Sequence, residues 1–317
     1  MVSDRGRAFY YGRMRRAFLG PLLVFLLYAG WVVAGLPARA DVRALARTNP
    51  AVTSLMRQRE AEARKAGRPV RRVQAWVPIA SVSRHLIHAV IASEDQKFFG
   101  HEGVDWDAIK KSVEADRTQG RFVRGGSTIT QQLAKNLFFT TQKSITRKLR
   151  ELVVARWLEG ELSKKRILEL YLNVIEWGDG IYGVQAAAQR YYGKPASDLG
   201  PEEAAGLAGM IPNPRRINPL VNARMFARAQ RRALWRMANA GYLGQSAAGL
   251  GAEPPPVEAD EDEPEPPPTA PAPVVATPAP AFEPTATPTA TPEAAPETPP
   301  TPETTPTPGP GATPGVR

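Results

Sequence analysis

The sequence contains no cysteine and only three histidines. Without thiols the chain forms neither a disulfide framework nor a thiolate zinc site. The histidines, His85, His88 and His101, show no repeated metal-ligand spacing. A scaffold held by disulfides or a structural metal is therefore not expected.

Acidic residues are scarce until the last part of the chain. The formal net charge is +10, yet residues 252–317 carry eleven acidic residues and one arginine, which leaves about +20 on the preceding part. Such a basic body favours an anionic partner, whether nucleic acid, acidic lipid headgroups or a phosphate-bearing substrate. Charge alone does not choose among these three.

Charged residues are absent from Ala17 to Ala38, and this apolar run is as long as the roughly 20 residues that cross a bilayer. It predicts one transmembrane helix at 17–38. Five arginines against one aspartate precede it, so the positive-inside rule predicts that residues 1–16 are cytoplasmic and the rest is exported. A cleaved signal peptide is the alternative, because Ala38-Arg39-Ala40 resembles a cleavage site; the length of the run favours an uncleaved anchor.

Composition divides the exported part into three. Residues 39–72 are rich in Ala and Arg and are expected to form a helical stem that acts as a spacer. Residues 73–243 hold the clear helical periodicities and should form the folded domain. Of the chain's 32 prolines, 22 follow Gly251, so residues 244–317 are predicted to be a disordered Pro/Thr/Glu-rich tail.

The segment SRHLIHAVIASEDQKFFGH, from Ser83 to His101, places apolar residues at helical spacing, with Glu94 on the same stripe. A carboxylate in apolar surroundings has a raised pKa, which suits a general base. The alternative is an ordinary surface carboxylate at a helix end, or one paired with an arginine.

The segment RGGSTITQQLAKN ends at Asn136 and contains a glycine pair that permits a tight turn. Ser127 is expected to cap the helix that follows, whose polar face would carry Thr128, Gln131, Gln132 and Lys135. A helix start attracts anions, so this face suits phosphate or sugar hydroxyls. An ordinary capped amphipathic helix is the alternative.

The segment RKLRELVVARWLE starts at Arg147 and places Arg147, Lys148 and Glu151 on one helix face, opposite Leu149, Leu152, Val153 and Trp157. In a cleft, these two cations would neutralise a diphosphate and keep Glu151 ionised. Ion pairing on a solvated helix surface is the alternative. A fourth segment, SKKRILELYLN, predicts a packing helix in which Glu169 and Asn173 support neighbouring elements.

Together these segments resemble the monofunctional biosynthetic peptidoglycan transglycosylases and the glycosyltransferase domain of bifunctional penicillin-binding proteins. The resemblance spans about Val77 to Met237 and rests on EDQKFFGH, GGSTITQQLAKN, RKLRE, KKRILELYLN and IPNPRRINP. Five motifs in this order are highly specific. The resemblance implies a mainly α fold, with a lysozyme-like helical domain and a smaller membrane-proximal lobe preceded by one transmembrane helix.

The resemblance also implies a reaction. Glu94 would be the base that deprotonates the 4-hydroxyl of lipid II, and the growing chain would lose its polyprenyl diphosphate by direct displacement to give β-1,4-linked glycan. Glu151 would orient or stabilise the reacting diphosphate region. The substrate-binding residues implied in the cleft are Asp95, Phe98, His101, Ser127, Thr128, Gln131, Gln132, Lys135, Asn136, Arg147 and Lys148.

Further expectations concern partners. The expected partners are lipid II, the growing lipid-linked glycan, the plasma membrane and cell-wall synthesis proteins, with no nucleic acid. The surface expected to dip into the bilayer contains Trp106, Ile109, Phe122, Val123, Phe138 and Phe139, beside Lys110, Lys111, Arg121 and Arg124. That these aromatics belong to the core is the alternative.

Three further expectations concern activity. A divalent cation, Mg²⁺ or Mn²⁺, could assist at the diphosphate, although no ligand set is visible. Because the chain turns into the Pro-rich tail after Tyr242, we expect no transpeptidase activity. The rival functions are a lysozyme-like lytic enzyme, which has no use for a diphosphate-binding face, and a membrane-anchored scaffold without catalysis.

Overall fold

The computed structural model describes residues 4–119 and 126–244. Its first helix, α1 (Asp4–Ala34), contains the predicted apolar run. The stretch Leu19–Ala44 contains an 18-residue window with a mean hydropathy of 2.0 and is the one candidate membrane span among the described residues. Leu23, Val24 and Leu27 on it are exposed, as expected of a helix that packs against lipid instead of protein.

The segment 39–72 contains α2 (Arg39–Ala44) and α3 (Ser54–Lys65), so its helical character is as predicted. Its expected role as a spacer is wrong, because it packs against the rest of the chain. Val42 and Leu45 are buried in the main core, and Arg166 donates hydrogen bonds to the carbonyl oxygens of Leu45 (2.8 Å) and Thr48 (2.9 Å). The apolar residues of this segment are therefore part of the folded domain.

The folded domain is mainly helical, as predicted. Its helices are α4 (Arg84–Glu94), α5 (Trp106–Gln119), α6 (Ile129–Phe138), α7 (Ile145–Glu161), α8 (Lys164–Val174), α9 (Val184–Tyr192), α10 (Pro201–Met210) and α11 (Ala223–Asn239), with short 3-10 turns at Ile79–Ser81, Phe98–Gly100 and Ala196–Asp198. Helix α10 packs against α4 and α11, and α6 packs against α7 and α8. Tyr171 and Trp177 are fully buried between these helices.

A small sheet, which the periodicities did not predict, closes one side of α8. Strands β1 (Val73–Gln74), β2 (Glu176–Gly178) and β3 (Ile181–Tyr182) lie in the order β1-β3-β2, with β1 parallel and β2 antiparallel to β3. Gly180 forms the turn with a φ of +73°, and a Cβ there would lie 2.7 Å from the carbonyl oxygen of Arg71. Glycine is therefore required for the turn between β2 and β3.

Side chains of α8 connect this sheet region to the body, as expected of Glu169 and Asn173. A carboxylate oxygen of Glu169 accepts the backbone N–H of Ile79 (2.8 Å). The amide of Asn173 accepts the N–H of Val77 and donates to its carbonyl oxygen, both at 2.9 Å. These bonds hold the chain before α4 against α8.

Helix α7 has an unusual distribution of buried residues. Its polar face, with Glu151, is buried together with Val154, Ala155 and Leu158. Its apolar face is open only at the start of the helix, where Ile145 is 80% exposed and Leu149 38% exposed; Trp157, further along, packs against the core. The alternative of a solvated polar face is thereby excluded for Glu151.

The surface expected to dip into the bilayer is only partly described, because Arg121, Phe122, Val123 and Arg124 lie outside the described residues. Trp106 is 70% exposed, which agrees with the expectation. Phe139 does not agree: it is buried in the core, and Phe138 packs against the same core. Phe139 follows α6, whose apolar stripe faces inward, so it continues the buried side.

Candidate active site

Helix α4 ends at Glu94, where the chain leaves the helix through Asp95. Leu86, Ala89 and Val90 bury the inner face of α4. Glu94 is half-buried and lines a cleft of about 320 Å³ together with Ser127, Thr128 and Arg236. The carboxylate therefore lies where apolar core meets an open cleft.

A chain of hydrogen bonds fixes the Glu94 carboxylate. The amide nitrogen of Gln132 donates to Glu94 Oε2 at 2.7 Å. The hydroxyl of the fully buried Tyr171 donates to the amide oxygen of Gln132 at 3.0 Å, which sets the orientation of that amide. Helices α4, α6 and α8 thus meet at this carboxylate.

Burial is the largest influence on the Glu94 carboxyl and raises its pKa. The Gln132 hydrogen bond and the positive charges of Arg236 and Lys135 act in the opposite direction, and the charge of Asp95 raises the pKa further. A carboxylate with a raised pKa is a stronger base than one in water.

Asp95 and His101 form a latch beside Glu94. The Asp95 carboxylate accepts hydrogen bonds from His101 Nε2 (2.9 Å) and from the backbone N–H of Ile129 (3.0 Å). His101 Nδ1 accepts the N–H of Gly103 at 3.1 Å, so the ring proton lies on Nε2. The latch ties the loop after Glu94 to the start of α6.

The start of α6 is capped by Thr128, whose hydroxyl accepts the N–H of Gln131 at 3.2 Å. The prediction that Ser127 is the cap is therefore wrong by one residue. The Ser127 hydroxyl instead accepts a hydrogen bond from Lys148 Nζ at 2.8 Å. Thr128 also donates to the carbonyl oxygen of Gly103 (2.7 Å), which joins the cap to the Asp95–His101 latch.

Glu151 lies on the buried face of α7 with a cation on each side. Arg147, one turn earlier, forms a hydrogen-bonded ion pair with one carboxylate oxygen. Lys148 Nζ is 3.6 Å from the other oxygen and donates to the amide oxygen of Gln131 at 2.7 Å. Burial lowers the pKa of Lys148, and the Glu151 charge raises it.

The charge of Lys135 interacts with both carboxylates, Glu94 and Glu151. Lys135 is half-buried on α6, and burial lowers its pKa, whereas the charges of Glu151 and Glu94 raise it. Arg147 and Lys148 lower it as well, so four charged groups act on the Lys135 ammonium. Within the described part of the chain, the Lys135 ammonium makes no hydrogen bond or ion pair.

The structure buries three of the expected substrate-binding residues, Phe98, Gln131 and Asn136, none of which lines the cleft around Glu94. Phe98 is fully buried, with Lys164 Nζ lying 4.6 Å from the centre of its ring. Its substrate-binding role is not supported, because a side chain with no exposed surface packs the core. Asn136 is buried as well, on the inner side of α6.

Two residues of the site had no signal in the sequence. Tyr171 is one of several apolar residues of α8 and orients Gln132. Arg236 is one of many arginines in α11, and its guanidinium donates to the carbonyl oxygen of Ser93 at 3.5 Å. Only the packing of α8 and α11 against α4 and α6 distinguishes them from their neighbours.

No group of three His, Asp or Glu side chains that fits a metal ion occurs in residues 4–119 and 126–244. The charges around Glu151 are cations, which suit an anionic ligand and not a metal ion. The assistance of a divalent cation stays a prediction.

Comparison with known proteins gives three results. The family model described as transglycosylase matches residues 61–238. The biosynthetic peptidoglycan transglycosylase of Dechloromonas aromatica (strain RCB) is 48% identical over 202 residues, which cover 64% of this chain and 85% of that protein. The protein of the same name from Azoarcus sp. (strain BH72) is 48% identical over 217 residues, covering 68% and 91%.

Proposed function

The chain belongs to the transglycosylase family, and from this membership and the cleft around Glu94 we propose that Glu94 is the base with which this peptidoglycan glycosyltransferase polymerises lipid II into β-1,4-linked glycan. The observation that carries the assignment is the half-buried Glu94, whose carboxylate is held by Gln132 at 2.7 Å beside the charges of Lys135 and Arg236. A base needs a raised pKa and a fixed orientation, and this surrounding supplies both.

In the proposed step, the 4-hydroxyl of an incoming lipid II lies against Glu94. Its proton moves to the carboxylate as its oxygen attacks the anomeric carbon of the growing chain. The bond from that carbon to the diphosphate breaks, and the electron pair leaves with the polyprenyl diphosphate. Attack from the opposite side converts the α-linked donor into a β-linkage without a covalent intermediate.

We assign the leaving diphosphate to the face formed by Lys135, Arg147 and Lys148. Charge grows on the diphosphate oxygens as the bond breaks, so cations already in place stabilise the transition state. Glu151 accepts from Arg147 and attracts Lys148, and it therefore holds both cations beside Lys135. Lys135, which makes no ion pair among the described residues, is proposed to contact the diphosphate directly.

The orientation in the membrane is part of the proposal. Arginines dominate residues 1–16, so this end is assigned to the cytoplasm and the folded domain to the outer side of the plasma membrane. The growing lipid-linked glycan then stays anchored in the same leaflet as the enzyme. Other cell-wall synthesis proteins are proposed as partners.

The test uses the purified full-length protein with labelled lipid II and detects glycan strands by gel electrophoresis. We expect the wild type to produce long strands, and Glu94→Gln to lower the rate by about 10² to 10⁴, as for removal of a positioned base. Glu102→Gln is the control, because this side chain is 75% exposed and lies outside the proposed machinery.

Strand synthesis by Glu94→Gln at the wild-type rate would refute the role of Glu94. A wild type that shortens preformed glycan strands and makes none would refute the proposed polymerisation and favour the lytic enzyme.

A further inference from the structure

The end of the candidate membrane helix α1 lies along α7, the helix that carries Arg147, Lys148 and Glu151. The hydroxyl of Tyr28 is 3.1 Å from Thr146 Oγ1, near the start of α7. Arg39 and Arg43, beyond the end of α1, pair with Glu161 at the end of α7 at 3.3 and 3.1 Å. The two helices therefore run side by side in the same direction.

Arg150 joins the two helices. Its Nη2 donates to the carbonyl oxygen of Trp31 at 2.7 Å, and its Nε donates to that of Val32 at 3.0 Å. The guanidinium also lies over the Trp31 ring, 4.9 Å from its centroid. The last four carbonyl groups of a helix have no partner within it, and that end carries partial negative charge, so a guanidinium is a fitting cap.

Gly35 has no side chain, and this leaves space for the Arg150 guanidinium. A Cβ at Gly35 would lie 2.1 Å from the Arg150 Cζ atom, a distance that no pair of non-bonded atoms tolerates. A Cβ at Gly30, about one and a half turns earlier, would meet nothing within 4 Å. Any side chain at position 35 must displace the guanidinium, whereas position 30 tolerates one.

The contact between α1 and α7 also sets how deep α7 lies in the membrane. The apolar run ends near Leu36, so Trp31 and Tyr28 lie within roughly 8 and 12 Å of its outer end, measured along the helix at about 1.5 Å per residue. Trp and Tyr near the end of a membrane helix lie at the level of the lipid headgroups. Thr146 and Arg150 touch these residues, which brings the first turns of α7 to the headgroup region of the outer leaflet. The open apolar face of α7, with Ile145 80% exposed, fits that position.

Arg147 and Lys148 belong to the same turns as Thr146 and Arg150, but Lys148 donates to Ser127, which lines the cleft, and Arg147 pairs with the buried Glu151. The diphosphate of a lipid-linked substrate lies at the bilayer surface, because its polyprenyl chain is held in the hydrocarbon. A shift of α7 along α1 would therefore move the cationic face away from the diphosphate.

We propose that Arg150 is a positioning residue for polymerisation, and that by capping α1 it holds the cationic face of α7 at the depth of the substrate's diphosphate. This inference rests on the proposed function. It assigns to the membrane helix a second task besides anchoring, which is to set the height of the reaction site above the bilayer centre.

The first test compares two substrates with the full-length protein in lipid vesicles: long-chain lipid II in the same vesicles, and a short-chain, water-soluble analogue added from solution. We expect Arg150→Ala and Gly35→Ala to slow the long-chain reaction by about 10- to 100-fold, the cost of a small misplacement, with little change for the short-chain analogue. Gly30→Ala, the matched control, should behave as wild type with both.

A double substitution shows whether both changes act through one contact. Arg150→Ala combined with Gly35→Ala should be no slower than Arg150→Ala alone, because the guanidinium is already absent. Arg150→Lys should recover part of the long-chain rate, since an ammonium caps carbonyl oxygens but lacks the planar fork.

The second test measures depth. The chain has no cysteine, so Ile145→Cys provides a single labelling site for a fluorophore, with lipid-borne quenchers at known depths. We expect quenching from within the bilayer that weakens when Arg150→Ala is added. A fluorophore at Val221→Cys, on the exposed segment before α11, serves as the control. The lipid-borne quenchers should not quench it, and Arg150→Ala should not change its fluorescence.

Equal loss with both substrates in Arg150→Ala would mean a general structural role and overturn the inference, as would wild-type rates with both. Absence of quenching at position 145 in the wild-type background would overturn it as well. A wild type that polymerises neither substrate would instead contradict the proposed function.

Discussion

At the scale of residues, Glu94 and Glu151 are two carboxylates with opposite surroundings. Glu94 receives a neutral amide hydrogen bond from Gln132 and has a pKa raised mainly by burial. Glu151 lies between Arg147 and Lys148. Because their surroundings differ, the two carboxylates suit different roles. We assign proton abstraction to Glu94 and the holding of cations to Glu151.

The raised pKa of Glu94 predicts that the ionised carboxylate, which activity requires, lowers the stability of the fold. A carboxyl whose pKa is raised in the folded state favours folding below its unfolded pKa and loses that contribution as pH rises through the folded value. At neutral pH the ionised Glu94 therefore costs stability. Glu94→Gln should raise the thermal unfolding midpoint at about pH 7 and have little effect at about pH 4, where the wild-type carboxyl is protonated.

Circular dichroism at the two pH values measures this difference, with Glu102→Gln as the exposed control. An unfolding midpoint of Glu94→Gln below that of the wild type at neutral pH would contradict the prediction. Wild-type activity should fall on the acid side as Glu94 takes up a proton, because only the carboxylate accepts one from the substrate.

At the scale of elements, the loop after α4 and the start of α6 act as one unit. Asp95 accepts from His101 and from the N–H of Ile129, and the carbonyl oxygen of Gly103 accepts from Thr128 and Gln131. Gln132, which holds Glu94, belongs to the first turn of α6. The position of the Glu94 carboxylate therefore depends on hydrogen bonds within the protein that involve no atom of the substrate.

Asp95→Asn tests this dependence. The asparagine amide brings a second donor against the donors of His101 and Ile129, so one of them loses its acceptor. We expect the free energy of unfolding in urea to fall by about 1–3 kcal/mol, the cost of a buried polar group without a partner. The polymerisation rate should fall too, because Gln132 moves with α6.

Asp107→Asn is the matched control, since this aspartate is exposed and pairs only with Lys97 at 2.7 Å in the described structure. An unchanged urea midpoint in Asp95→Asn would show that the latch contributes nothing to the fold.

At the scale of the whole molecule, the segment between the membrane helix and the first motif is part of the core. Val42, Leu45, Leu55 and Met56 are buried. Arg59 pairs with the buried Glu176 at 2.9 Å, which ties α3 to the sheet. The site, the membrane helix and this segment all meet α6 or α7, so the domain and its anchor form one connected structure.

Truncation tests that view. A chain that starts at Leu36 keeps α2 and α3 and should unfold cooperatively. A chain that starts at residue 61, where the family similarity begins, loses four buried apolar side chains. At about 2–5 kcal/mol for each large side chain removed, the loss approaches the 5–15 kcal/mol by which proteins are stable.

The shorter chain should therefore be insoluble or lack a cooperative transition, and soluble yield with thermal unfolding measures both. A transition at the temperature of the longer chain would contradict the claim that 39–60 belongs to the folded domain.

Local patterns in the sequence predicted much of the secondary structure. The period of apolar residues located α4, α6, α7 and α8. Hydropathy located α1, and the five motifs predicted the family that the comparison confirmed. These features depend on residues a few positions apart, so the sequence by itself determined them.

Which face of α7 is buried was decided only by tertiary structure, whereas the apolar stripes of α4 and α6 face inward as their period predicts. The start of the apolar face of α7 is exposed and Glu151 is buried, Phe98 is in the core, and the stem packs against the domain. Tyr171 and Arg236 reach the site from helices that carry no motif for it. Burial depends on contacts between segments far apart in the chain, and no local pattern contains them.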